Sequence, residues 1–143
     1  MTAFIFDSRG ETLVVGTAGG NLYSYDVREG GQPSLLETLS VAPSGTSVTA
    51  LSYLIGDRSL VIGNSTGGVS VWMPVRQDQD SAITRIRPIH HFDTHPASVT
   101  GISPSLRDKG FITGDAQGNL FVHYSTSAQT LLKLSGNDRA IRT

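Results

Sequence analysis

Three of the chain's four histidines fall close together, at His90, His91 and His95, with Asp93 between them. This is the one stretch whose residue types suggest a metal. Adjacent residues on a strand point to opposite faces, so His90 and His91 cannot chelate one ion together, and no Glu or Cys stands nearby to complete a set. The stretch reads instead as a polar turn between two structural units. Asp115, Gln117 and Asn119 place oxygen ligands at alternate positions as a calcium loop does, but the closing bidentate Glu is missing, which leaves a hairpin turn. Gly19-Gly20 and Gly67-Gly68 could cradle a phosphate only if a helix N-terminus followed, and each pair lies between two strand-like runs. Ser44, Ser47 and Ser98 lack a His and a carboxylate at motif spacing, and no Gly-x-Ser-x-Gly elbow occurs. Asn64-Ser65-Thr66 matches a glycosylation acceptor yet sits in a turn. Tyr53 and Trp72 could anchor a partner, although packing in a core is the commoner use of such rings. His123 is expected to pack as a ring. The sequence therefore assigns no catalytic, cofactor or metal-ligating residue, and it reads as a non-enzyme.

The elements that hold these residues are set by composition and then by repetition. Of 143 residues, 38% are hydrophobic, enough for a packed core, while only 16% are charged and 16 are Gly. That balance favours strands and tight turns over helices. A net charge of -1 and the absence of any Lys/Arg run exclude nucleic acid as an expected partner. The chain has no cysteine, hence no disulfide and no thiolate chemistry. No apolar stretch approaches the ~20 residues that span a bilayer, and the first residues do not read as a signal peptide.

Three segments align without a gap. From Met1, Val48 and Val99 they read Met-Thr-Ala-Phe, Val-Thr-Ala-Leu and Val-Thr-Gly-Ile, and each then reaches a Gly, at Gly16, Gly63 and Gly114. A second Gly recurs four positions on, at Gly20, Gly67 and Gly118. The spacings of 47 and 51 residues slightly exceed the ~40 to 45 of a four-stranded propeller blade, and the polar segment 77–84 supplies an enlarged loop. Each unit divides into four strands. They are expected at 2–6, 13–16, 22–27 and 35–39; at 48–54, 59–63, 69–75 and 85–92; and at 99–103, 110–114, 120–124 and 131–134. The units span 1–47, 48–98 and 99–143. The paired glycines suit a hairpin between second and third strands that needs positive φ, with Asn21, Asn64, Asp115 and Asn119 as turn residues. On the third strands, Tyr25, Trp72 and His123 hold the position where a ring fills the wedge between blades.

This pattern resembles the WD repeat. His95 lies four residues before Val99, Val-Thr-Gly-Ile and Gly-x-x-x-Gly-x-Leu follow, and Tyr25-Asp26 stands where the family has Trp-Asp. The resemblance implies an all-β partial propeller of three four-stranded antiparallel blades. No unit holds both the His and an Asp after the ring, a departure that puts the family's His-to-Asp hydrogen bond in question. A narrower likeness covers 47–132, through Tyr-Leu-Ile-Gly-Asp-Arg-Ser-Leu-Val-Ile-Gly, His-Pro-Ala-Ser-Val-Thr-Gly-Ile and Arg-Asp-Lys-Gly-Phe-Ile-Thr-Gly-Asp-Ala. It is similar to the extracytoplasmic region of phosphate-type ABC transporter permease subunits. That likeness implies a periplasmic position at a bacterial inner membrane, with the rest of the permease and a solute-binding protein as partners. The alternative is a soluble cytosolic WD-repeat scaffold that gathers protein partners.

Propellers close into rings of ~4 to 8 blades, so three blades leave two apolar faces uncovered. The chain accordingly reads as a piece of a longer protein, with residues 140–143 opening a fourth blade. As a fragment it is expected to be a homo-oligomer, two copies making a six-bladed ring.

Overall fold

The computed structural model describes residues 2–28, 32–76, 84–125, 127 and 129–135. Met1, most of the expected loop 77–84 and the expected fourth-blade start at 140–143 lie outside the described residues. Among the described residues there are twelve strands, and each expected strand is present to within two residues. The first unit holds β1 (Ala3–Phe6), β2 (Thr12–Gly16), β3 (Asn21–Asp26) and β4 (Ser34–Ser40). The second holds β5 (Val48–Tyr53), β6 (Leu60–Asn64), β7 (Val69–Arg76) and β8 (Thr84–His91). The third holds β9 (Val99–Pro104), β10 (Gly110–Asp115), β11 (Asn119–Tyr124) and β12 (Gln129–Ser135). Each unit is one antiparallel meander of four strands in chain order. Among the described residues no helix is long and apolar enough to cross a membrane.

The three sheets pack face against face as blades. First strands β1, β5 and β9 run side by side, and Thr2, Thr49 and Thr100 line a shared depression where they converge. Two apolar clusters fill the wedges. Val14, Leu22, Val48, Leu60, Ile62 and Trp72 join blade 1 to blade 2; Leu54, Val61, Val71, Phe92, Val99 and Phe111 are central to the cluster joining blade 2 to blade 3. Trp72 fills its wedge as expected of a ring on the third strand, and its Nε1–H donates to Ser70 Oγ at 2.8 Å.

The two recurrent glycines do different work, which corrects the expectation that both serve the turn. Gly20, Gly67 and Gly118 have φ of 82°, 90° and 89°, the left-handed region a β-carbon disfavours. The earlier glycines are not in that region. A β-carbon on Gly16 would lie 2.7 Å from Val48 Cβ, and one on Gly63 would lie 2.8 Å from Val99 Cβ. Gly is required there because the next blade's first strand passes too close for any side chain. The valines that open the second and third repeats thus press on the glycine of the preceding blade.

Candidate functional site

The hairpin between the second and third strands of each blade (β2–β3, β6–β7 and β10–β11) turns on a polar side chain that accepts backbone amides. Asn21 N–H donates to Thr17 Oγ1 (3.1 Å), while Thr66 and Gly68 N–H donate to Asn64 Oδ1 (3.0 and 2.9 Å). In the third blade Gln117 and Asn119 N–H donate to Asp115 Oδ1 (2.8 and 2.9 Å). The Asp115–Asn119 motif is therefore a turn, and the Asn64 amide of the glycosylation-like tripeptide is engaged in its own hairpin.

Asp115 does more. Its Oδ2 accepts from Asn119 Nδ2 at 2.9 Å and from His95 Nδ1 at 3.0 Å. His95 Nε2 lies 2.6 Å from Thr113 Oγ1, which lies 2.8 Å from His123 Nε2, and His123 Nδ1 lies 2.9 Å from Thr130 Oγ1. His95, Thr113, Asp115 and His123 are all buried. The sequence expectation that the His-to-Asp bond is in question is thus corrected. The bond exists, but its carboxylate comes from the last residue of β10, whereas Asp26, after the ring of blade 1, accepts from Arg28 N–H at 3.1 Å.

Electrostatics fix the direction of the chain of bonds. Burial works to raise the Asp115 pKa, but donors from Asn119, Gln117 and His95 overcome it and hold the carboxyl below its ordinary range. Burial depresses His95 despite the opposing pull of Asp115. His123 is pushed down to about 4, by burial first and by His95 next. Both rings are therefore neutral. His95 donates its Nδ1–H to the Asp115 carboxylate, leaving Nε2 to accept from the Thr113 hydroxyl. Thr113 in turn accepts from His123 Nε2–H, and His123 Nδ1 accepts from Thr130. His95 also stacks on Phe121, centroids 3.8 Å apart at 14°, and Lys133 pairs with Asp93 at 2.8 Å. The network ties the loop before β9 to three strands of blade 3, and His95, Thr113, Asp115 and His123 are buried in it, so its role is structural.

The structure does not bring His90 or His91 to His95. His90 faces Phe92 edge-on at 6.3 Å, and among the described residues no group of three His, Cys, Asp or Glu could hold a metal. Ser47 donates to Ala18 O at 3.2 Å.

What remains for interaction is surface. Strand register puts Phe4 and Phe6 opposite Val15 and Leu13, and these opposite Tyr23 and Tyr25, on the face of blade 1 that looks away from blade 2. Ile112 and Val122 with Leu132, and Leu120 with Leu134, form the corresponding outer face of blade 3. Phe4 is 58% exposed and Leu132 50%. Composition alone did not reveal which apolar residues these would be; the repeat alignment does. Phe4, Leu13 and Val15 occupy the places of Leu51, Leu60 and Ile62, which pack on blade 1. Ile112, Leu120 and Val122 occupy those of Val61, Val69 and Val71, which pack on blade 3.

No family model and no curated protein sequence matches the chain. Solved structures do. The RRP9 WD40 repeats superpose with a TM-score of 0.78 at 12% identity, over 97% of this chain and 39% of that one. The Cps50 (Swd1) β-propeller domain of Myceliophteria thermophila gives 0.75 at 15%, over 97% and 42%. The computationally designed Ika8 protein gives 0.76 at 23%, over 99% and 38%. The chain thus spans about two-fifths of each of these three structures. Its fold is that of three consecutive blades of a WD40-like β-propeller.

Proposed function

We propose that the chain is a non-catalytic association module, a WD-type propeller segment that holds protein partners. One observation carries the reading: the outer faces of blades 1 and 3 expose the residue positions that their counterparts bury in the two interfaces already formed. Each face is therefore fit for the other kind of face, and a second copy supplies both at once, closing a six-bladed ring by two-fold symmetry. The WD40-like fold is in keeping with a protein-interaction scaffold, and a cytosolic setting is part of this proposal. An extracytoplasmic blade set of a phosphate-type permease, the narrower sequence reading, draws no support from the solved structures, and its periplasmic position rests on the same sequence likeness. Membrane helices encoded on both sides of the blades would favour it over the scaffold. The test of association is mass in solution by light scattering. Wild type is expected at about 30 kDa, twice the 15.2 kDa chain, and Phe4→Asp at the mass of one chain. A wild-type monomer at working concentration contradicts the reading.

A further inference from the structure

A cleft of about 450 Å³ opens between blades 1 and 2, on the side where the β5–β6 hairpin turns. It is separate from the open faces. Trp72 and Leu60, both buried, form its floor, and Leu36 stands exposed on its rim. Two carboxylates line it, and both are engaged. Glu37 accepts from Ile86 N–H at 3.0 Å and faces Arg87 at 3.6 Å, while Asp57 accepts from the Ser8 amide at 2.9 Å and from its hydroxyl. By contrast, Arg58 and Arg85 pair with no carboxylate among the described residues. The Tyr53 hydroxyl is pushed up to about 12 by burial and by Asp7 and Asp57, so it remains a donor at any working pH.

Among the described residues the groups of the cleft without an ion-pair partner are thus two guanidiniums and a phenol, over an aromatic floor. A guanidinium fork matches a carboxylate bidentately, and a buried ring at the base of a pocket is the usual seat of an apolar anchor side chain. The volume suits one or two side chains and not a folded domain. Asp57 and Glu37 disfavour a doubly charged phosphate, so a singly charged carboxylate is the better fit. We propose that this inter-blade cleft binds an extended peptide segment of a partner protein, an acidic residue held by Arg58 and Arg85 and a bulky apolar neighbour set against Trp72.

Trp72 is the only tryptophan in the chain, so its fluorescence reports the floor directly. The probe is a library of short Gly/Ser-flanked peptides in which one Asp or Glu stands one to three residues from Leu, Phe or Trp-free aromatic residues. Some members are expected to give a saturable change. Arg58→Gln and Arg85→Gln should each weaken their binding about ten-fold, as loss of a charge-assisted hydrogen bond does. Arg107→Gln, exposed in the hairpin before β10, should not. The proposal is overturned if no library member binds, if peptides with Lys in place of the acid bind as tightly, or if neither cleft substitution matters. Phe4→Asp, on the opposite face of blade 1, should leave peptide binding intact, so failure of ring closure and failure of the cleft are read separately.

Discussion

Acidification should unlock the third blade through His123. The ring is fully buried and hydrogen-bonded on both nitrogens, and its pKa falls from 6.5 to about 4 on folding. A group whose native pKa is depressed in this way is neutral in the folded chain while the unfolded chain takes up a proton. Above pH 6.5 both states are neutral and nothing is lost. Below it, each pH unit destabilises the fold by about 1.4 kcal/mol until the native pKa is reached, a total of about 3 kcal/mol between pH 6.5 and 4. Depression of His95 acts in the same direction. The assay is urea unfolding, monitored at several pH values, for wild type and His123→Phe. The variant starts less stable at pH 7.5, because Thr113 and Thr130 lose a partner, but its stability should fall less steeply across the window. Equal slopes for the two proteins would refute the assignment of a neutral buried His123.

Further substitutions separate the roles of the repeated residues. Asp115→Ala should cost about 2–4 kcal/mol, since it strands His95 and two turn amides without an acceptor, and Asp115→Asn should recover part of that loss in denaturant melts. Gly63→Ala should destabilise by about 1–3 kcal/mol or more by forcing a β-carbon against Val99, with blades 2 and 3 showing faster amide exchange. Gly20→Ala, at positive φ and 2.9 Å from the Ala42 carbonyl, should cost about as much, whereas neighbouring Gly19→Ala should stay within about 0.5 kcal/mol by calorimetry.

The repeat made the blades readable, because Gly16, Gly63 and Gly114 keep one register and the apolar alternation around them has period two. What it hid was the reason for each glycine. A glycine demanded by φ and one demanded by a neighbouring strand look identical in sequence, and only the approach of Val48 and Val99 tells them apart. The histidine network was hidden for a related reason. His95 lies about 20 residues from Asp115, and the two meet because blade closure folds the loop before β9 over the β10 turn. A search confined to the residue after the ring finds Asp26, which serves only Arg28. The signal was present in the shared turn position of Thr17, Asn64 and Asp115, each a side-chain acceptor. The cleft was the least legible, since its lining is drawn from two blades whose relative placement no local pattern specifies.

The most direct test of the account uses one disabled face on each of two proteins. Phe4→Asp removes the open face of blade 1 and Val122→Asp that of blade 3, so each variant alone should be monomeric. Mixed, they should form a one-to-one complex through the intact face that each retains. If the mixture stays monomeric, or if either variant pairs with itself, the two faces are not counterparts of one another.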